Sequence, residues 1–374
     1  MIALCLLPLA IWIFLLLGRG MFWLGRERDD RHEPAEPQTW PSITAIVPAR
    51  DEADVIAQSI ASLVAQDYPG DFRIVLVNDQ SGDDTAILAR AVPSNGRLTI
   101  LDGSSRPRGW TGKLWAVRQG IAQAGASDYL WLTDADIAHT PDNLRKLVAR
   151  AQSRNLVLVS LMAKLHCKSF AEKLMIPAFV FFFDMLFPFA FVNRSKNKTA
   201  AAAGGCMLVK RDALERAGNI DAIKHEIIDD CALGRAMKKQ GPIWLGLTNR
   251  ATSIRPYEGL GEIRRMIARS AYAQLDYSPL QLAGTVFGMS LLFVAPPVLG
   301  LLATGVAQIA GALAWAAMAI AFQPMLRFYR LSPLWGLALP AIGILYTAFT
   351  FDSAIQFWRG RGGMWKGRAQ AIRA

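Results

Sequence analysis

Polar and apolar positions divide this chain into a middle that alternates strand and helix patterns and two ends that are almost wholly apolar. Ile43-Thr44-Ala45-Ile46-Val47 is a β-branched run stopped by Pro48. Val55, Ile56, Ile60, Leu63 and Val64 recur at helical spacing and predict a helix within 53–66. A second strand is predicted over 72–77, ending at Asn78-Asp79, and a third over 98–101. Between them a helix runs to Ala91, capped by Asp84 or Thr85. A helix over 113–125 precedes the strand 129–133, which delivers Asp134-Ala135-Asp136. Repeated β-α-β units over 42–250 imply an α/β domain with a mostly parallel sheet covered by helices.

The ends change the picture. No Asp, Glu, Lys or Arg occurs between Asp276 and Arg327, room for two membrane helices of about 20 residues each. Another apolar stretch covers 331–350, and the chain opens with one over 1–17 that continues through Met21-Phe22-Trp23-Leu24. That first segment has no basic residue before it and no small-residue cleavage site after it, so it reads as an uncleaved anchor over 1–24. Arg26, Arg28 and Arg31 follow it and predict a cytoplasmic side for what comes next. Residues 25–41, charged and proline-bearing, suit a linker, with a catalytic domain expected over 42–276. Membrane segments are expected over 277–358 and a basic tail over 359–374. The basic clusters conflict. Arg327 and Arg330 mark one cytoplasmic loop and Arg359, Arg361, Lys366 and Arg368 another, yet a single crossing between them cannot put both inside. Either the last apolar segment is re-entrant or interfacial, or one cluster lies outside.

The hydrophobic share of 52% follows from those segments, and the net charge is +11. No nucleic-acid recognition motif accompanies the charge, and basic clusters beside membrane segments fit anionic headgroups instead. Four scattered cysteines lack the spacing of a disulfide framework or zinc site. No G-x-G-x-x-G follows the first strand, which disfavours a dinucleotide site.

Chemistry concentrates at strand ends. Pro48-Ala49-Arg50-Asp51-Glu52, Asn78-Asp79 and Asp134-Ala135-Asp136 each close a strand, and open α/β sheets bind ligands at that edge. Paired carboxylates in a partly dry cleft need a compensating cation, and a divalent ion holding a diphosphate would supply it.

These segments resemble the family 2 glycosyltransferases of the GT-A fold. Val47-Pro48-Ala49-Arg50-Asp51-Glu52 looks like the family's first-strand motif. Val77-Asn78-Asp79-Gln80-Ser81-Gly82-Asp83-Asp84-Thr85 is similar to its VDDxSxDxT motif, with Asn78 in place of the first Asp. Asp134-Ala135-Asp136 matches the Asp-x-Asp, and Ile228-Asp229-Asp230-Cys231-Ala232-Leu233-Gly234 resembles the motif carrying the base. The resemblance implies that Glu52 and Asp79, with Pro48 and Arg50 beside them, bind the nucleoside of a nucleotide-diphosphate sugar. It implies that Asp134 contacts nucleotide or metal, that Asp136 ligates Mg2+ or Mn2+, and that Asp230 is the general base. Asp229, the other candidate at this motif, yields to Asp230 on register and holds a partner or the helix terminus, or meets the diphosphate or acceptor. Lys113 either reaches a phosphate or is a solvated helix-start lysine. Gly204-Gly205 suits close backbone approach at an acceptor pocket or a plain turn. His225 takes no role.

Polymer-extruding members carry Q-x-x-R-W after the base, whereas Met266-Ile267-Ala268-Arg269-Ser270 lacks both Gln and Trp. Arg265 and Arg269, four apart on one helix face, are candidates to meet the diphosphate or acceptor. Segment 174–192 is apolar but broken by Pro177, Asp184 and Pro188, and reads as an interfacial element guiding a lipid acceptor or as a core helix. The layout is similar to ceramide glucosyltransferase-like enzymes, and above all to the hopanoid-biosynthesis-associated glycosyltransferases of bacteria. The stretch from Arg264 to Leu275 and the basic C-terminus carry that likeness. It implies a lipid acceptor at the cytoplasmic face of a bacterial inner membrane. Sphingolipid, carotenoid and polyprenyl phosphate are the other acceptors, and a non-catalytic scaffold is the reading from a different class.

Overall fold

The computed structural model describes residues 2–364; Lys366 and Arg368 of the basic tail lie outside the described residues. The chain forms two compact units. One comprises Glu27–His166 and Phe191–Arg255, the other Met1–Arg26, Cys167–Ala190 and Pro256–Ala374.

The first unit is built on an eight-stranded sheet: β1 (Ile43–Ala49), β2 (Phe72–Asn78), β3 (Leu98–Asp102), β4 (Tyr129–Thr133), β5 (Ile137–His139), β6 (Leu158–Lys164), β7 (Cys206–Lys210) and β8 (Ile243–Ser253). Their order is β3-β2-β1-β4-β7-β6-β8-β5. The first four run parallel, β6 and β8 run parallel to each other, and β7 and β5 are antiparallel to their neighbours. Every residue of β1 is buried, as a central parallel strand requires. In register, Ala49 pairs with Asn78, and Ile46 pairs with Leu132 two residues before Asp134. Three strand ends therefore emerge side by side.

The helices are close to their predicted spans, with differences at their starts. The first covers Ile56–Val64, because the chain before it turns through Asp51 at φ 50°. The next, Thr85–Arg90, has Asp84 at its N-cap without a side-chain bond. Asp83 does that work, accepting from the backbone N–H of Thr85 at 3.1 Å and from its hydroxyl. Helix Gly112–Gln123 is capped by the Thr111 hydroxyl.

The segment expected as a linker is bound along its length to the sheet unit. Leu247 donates to Glu27 O (2.8 Å) and Asp29 N–H to Leu247 O (3.1 Å), which lays the chain beside β8. Asp29 is buried, takes the Thr248 hydroxyl at 2.6 Å and pairs with Arg250 at 3.1 Å. Glu33 pairs with Arg250 and Lys146, and Glu36 with Arg145. Its charges look like solvated linker chemistry only while their partners, more than a hundred residues away, are unknown.

In the second unit, three helices are long and apolar enough to cross a membrane: Pro279–Leu302, Gly305–Phe328 and Pro333–Trp358. The shorter apolar helix Ile2–Gly18 packs with them, its Trp12 indole donating to Leu292 O at 2.9 Å. Helix Phe170–Leu186 starts with a Ser169/Glu172 capping box and tolerates Pro177 inside it. It is embedded in this unit: Phe181 meets Phe22 and Phe322, Phe182 meets Phe293 and Tyr346, and the Tyr346 hydroxyl donates to Met175 O.

Contacts within this unit give the relative directions of its helices. Gly311 lies on Gly300, so Gly305–Phe328 runs antiparallel to Pro279–Leu302. The chain then turns back: Gln323 donates to Pro333 O and the Trp315 indole to Leu337 O. Helix Leu339–Trp358 next descends antiparallel to the first, with Gly343 on Phe293, Ala354 beside Leu282 and Phe357 stacked on Tyr277. Two helices antiparallel to the same partner end on the same side. Arg327 and Arg330 therefore lie at the same end of these helices as Arg359 and Arg361, the chain folding back over 331–338.

Candidate functional site

The ends of β1 and β2 are laced together by polar groups that motif spacing supplies. Asp79 N–H donates to Ala49 O (2.8 Å), and Gly82 N–H to Asp51 Oδ1 (2.7 Å). Thr85 Oγ1 accepts from Glu52 N–H at 2.8 Å, and Asp83 from Ala53 N–H at 3.0 Å. Arg50 bends over the edge, donating to Asp79 O and Gln80 O, with its guanidinium 3.9 Å from Asp79 Oδ2. The Asp79 side chain is 1% exposed beneath it, so an arriving ligand meets Arg50 first. Asn78 departs from the acidic pattern usefully. Its amide donates to Asp102 Oδ1 (3.2 Å) while its oxygen takes Ser81 N–H (3.2 Å), which an aspartate could not do beside Asp102.

Asp134 and Asp136 occupy the turn between β4 and β5, and each faces a different cation. Lys113, at the start of helix Gly112–Gln123, lies 2.8 Å from Asp134 Oδ1 and 3.2 Å from Asp229 Oδ2. Burial disfavours its charge, but Asp134 and Asp229 outweigh that and raise the ammonium above its ordinary range. Asp229 and Asp230 open helix Asp229–Lys238. The Asp230 carboxylate accepts from Gly204 N–H (3.1 Å) and Cys231 N–H (2.7 Å). Burial, followed by the charge of Asp229, pushes Asp230 up to about 6, against Lys113, which pulls it down. A small pocket beneath this cluster is lined by Pro48, Leu114, Leu132, Met207, Ile220 and Leu233. On the other side, Arg255 contacts Glu52 and lies 3.4 Å from Asp136 Oδ2.

Among the described residues no group of three or more His, Cys, Asp or Glu forms a protein-only metal cage. Two strand-end carboxylates do fit a hard divalent ion that takes its remaining oxygens from a diphosphate.

Residues 44–218 match the family model described as Glycosyl transferase family 2. This segment is a family 2 glycosyltransferase domain. Its mostly parallel sheet is of the GT-A type. Over the whole chain, the fold is shared with mannosyltransferase PcManGT from Pyrobaculum calidifontis, solved in complex with GDP-Man and Mn2+. The TM-score is 0.57 and the identity 20%, covering 96% of this chain and 99% of that one. Succinoglycan biosynthesis protein ExoO of Rhizobium meliloti (strain 1021) is 34% identical over 37% of this chain and 42% of its own. The 4,4'-diaponeurosporenoate glycosyltransferase of Staphylococcus haemolyticus (strain JCSC1435) is 27% identical over 60% of this chain and 59% of its own. The chain thus spans less than two thirds of these curated relatives.

The family 2 unit gathers Pro48, Arg50, Glu52, Asp79, Lys113, Asp134, Asp136, Asp229 and Asp230 at one sheet edge. Arg265 and Arg269 belong to the helical unit. Arg265 bonds Glu262 at 3.2 Å, and Arg269 is the C-cap of helix Leu260–Ala268. Arg255 was not found from the sequence. Its signal is the same as elsewhere, a strand over 243–253 followed by a polar residue and Pro256.

Gly234 shows why segment 228–234 ends in glycine. A Cβ there would meet Ala201 C at 2.8 Å, so the helix can lie on segment 201–204 only without a side chain, which brings Asp230 to Gly204 N–H. Gly234→Ala should lower stability by about 1–3 kcal/mol through overpacking, read as a lower Tm in a thermal melt.

Proposed function

We propose that this chain is an inverting glycosyltransferase that moves a sugar from a nucleotide-diphosphate sugar to a hydroxyl of a membrane lipid, with a hopanoid or related lipid as acceptor. The observation that carries the reading is Asp230: a half-buried carboxylate held by two backbone N–H groups beside Lys113, and pushed up to about 6 by burial and Asp229. A general base works best with a pKa near the operating pH.

In this reading Glu52 and Asp79 bind nucleobase and ribose, with Arg50 covering them, and Lys113 meets the diphosphate as a point charge. Asp134 and Asp136 would hold Mg2+ or Mn2+, which when bound neutralises charge on the departing diphosphate. Asp230 takes the proton of the acceptor hydroxyl as its oxygen bonds the anomeric carbon. The bond from that carbon to the diphosphate oxygen breaks, and in-line attack inverts the centre. This is glycosyl chemistry with a lipid alcohol in place of water.

Membrane association follows from the three apolar helices. The shared basic end supports a cytoplasmic setting for that end, since Lys and Arg concentrate on the cytoplasmic side. A second acceptor is favoured by the Staphylococcus relatives, which are named for 4,4'-diaponeurosporenoate.

The test is nucleoside diphosphate release by the full chain in detergent, across a panel of nucleotide sugars with and without Mn2+ or Mg2+. Hopanoids and 4,4'-diaponeurosporenoate are added separately. Metal-dependent release that rises with hopanoid is expected. Release only with another lipid would discard the hopanoid assignment, and no release or donor binding at all would leave the scaffold reading in its place.

A further inference from the structure

Arg255 belongs to no motif, yet it reaches the heart of the site. Ile254 N–H donates to Asp136 O at 2.9 Å, so the end of β8 is tied to the Asp-x-Asp turn and the next side chain is aimed along it. The guanidinium contacts Glu52 from the loop after β1 and approaches Asp136 Oδ2 at 3.4 Å. Glu52 is 11% exposed and Asp136 25%, so these are carboxylates in a partly dry edge that share the tethered Arg255 cation. Asp134 is meanwhile held by Lys113 on the other side. In this arrangement one oxygen of each Asp-x-Asp carboxylate faces a positive charge, Asp134 Oδ1 that of Lys113 and Asp136 Oδ2 that of Arg255. A divalent ion brought to Asp136 would lie within a few ångströms of the guanidinium, in a setting where like charges repel strongly.

We propose that Arg255 is a counter-ion gate, a positioning residue that holds Asp136 and Glu52 in the donor-free protein and keeps a divalent cation off Asp136. A diphosphate opens the gate. Its oxygens match the planar guanidinium fork and draw Arg255 from the carboxylates, freeing Asp136 as the compensating negative charge arrives. Cation and diphosphate therefore bind together, and the ion does not bind first. The inference rests on the proposed divalent-cation reading of Asp136.

Mn2+ binding by the full chain in detergent, followed by electron paramagnetic resonance, separates the two. The probes are Mn2+ alone and Mn2+ with inorganic pyrophosphate, on wild type, Arg255→Gln, Arg255→Lys and Asp136→Asn. With Mn2+ alone, Arg255→Gln should bind about tenfold tighter than wild type, a coupling of ordinary size for two linked sites. Arg255→Lys, which keeps the charge without the fork, should stay as weak as wild type and gain less from pyrophosphate. Equal Mn2+ affinity in wild type and Arg255→Gln would overturn the gate while leaving the metal site standing. If Arg255→Gln does not fold, wild type alone decides: tight binding of Mn2+ without pyrophosphate overturns the gate. Mn2+ binding that survives in Asp136→Asn, or that is absent from every protein even with pyrophosphate, overturns the metal reading and the gate with it.

Discussion

Asp230→Asn should abolish sugar transfer while leaving nucleotide-sugar binding in place. The carboxylate sits in a small enclosure made by Gly204 and Cys231 backbone N–H groups, with Lys113 and Asp229 beside it. An amide fills the same volume but cannot accept a proton, and its NH2 replaces one of the two oxygens that accept backbone N–H groups, so retained nucleotide-sugar binding is the control that the site is still formed. Loss of a positioned base lowers turnover by about 10²–10⁴-fold. The pH dependence checks the assignment independently. Because Asp230 is pushed up to about 6, kcat/KM for the wild type should fall tenfold per pH unit below that value, as the base becomes protonated. Stability carries the opposite sign. A carboxylate whose folded pKa is raised holds its proton more tightly folded than unfolded, so its ionisation destabilises the native state as pH rises through 6. Asp230→Asn should therefore melt at a higher temperature than wild type, relative to their order at pH 4, once the pH exceeds about 6. Unchanged transfer in Asp230→Asn, or a pH profile flat between 5 and 7, would remove Asp230 from the role.

The sequence made legible what depends on local pattern and hid what depends on distant partners. β1, β2 and β4 are short β-branched or apolar runs ending in polar residues, and all three ends lie where the crevice rule puts them. β7 was harder, because a five-residue run with no alternation carries no sign of its antiparallel direction. Residues 27–40 have a linker's composition, and only Arg145, Lys146 and Arg250 turn those charges into a strap. Hydropathy joins the return over 331–338 to the helix that follows, since both are apolar. The reversal shows only in which side chains they meet. At the site, Asp134, Asp136 and Asp230 came from motif register, whereas the cations that hold them required the fold. Lys113 lies 21 residues before Asp134 and Arg255 25 residues after Asp230, and neither spacing has a periodicity to betray it.

Lys113→Met should destabilise the family 2 unit and do so more at high pH than at low. Lys113 is the ammonium between Asp134 and Asp229, with Asp230 next in line, and its side chain is only 22% exposed. Replacing it by an isosteric apolar chain keeps the packing of the stem against the pocket but leaves three carboxylates facing one another. Removing one partner of a buried pair costs about 3–5 kcal/mol, and partial exposure of Asp134 reduces this to about 1–3 kcal/mol here. The pH dependence follows from Asp230, which burial and Asp229 push up while Lys113 pulls it down; without the ammonium it is raised further. Well below the ordinary carboxylate range Asp230 is protonated in both states and this penalty vanishes; as pH rises from there through its raised folded value the native state loses stability. The Tm difference between wild type and Lys113→Met should therefore be smallest at the acid end, near pH 3, and largest at pH 8. Adding Asp134→Asn and Asp229→Asn to the variant should restore most of the loss, because the repulsion rather than the missing methylene packing is responsible. A Tm difference independent of pH would show that Lys113 is held by packing alone. Donor affinity tests the proposed phosphate contact when the rescued triple variant is set against Asp134→Asn/Asp229→Asn with Lys113 kept: Asp134 is lost from both, so weaker nucleotide-diphosphate binding in the triple variant is expected from the missing ammonium alone.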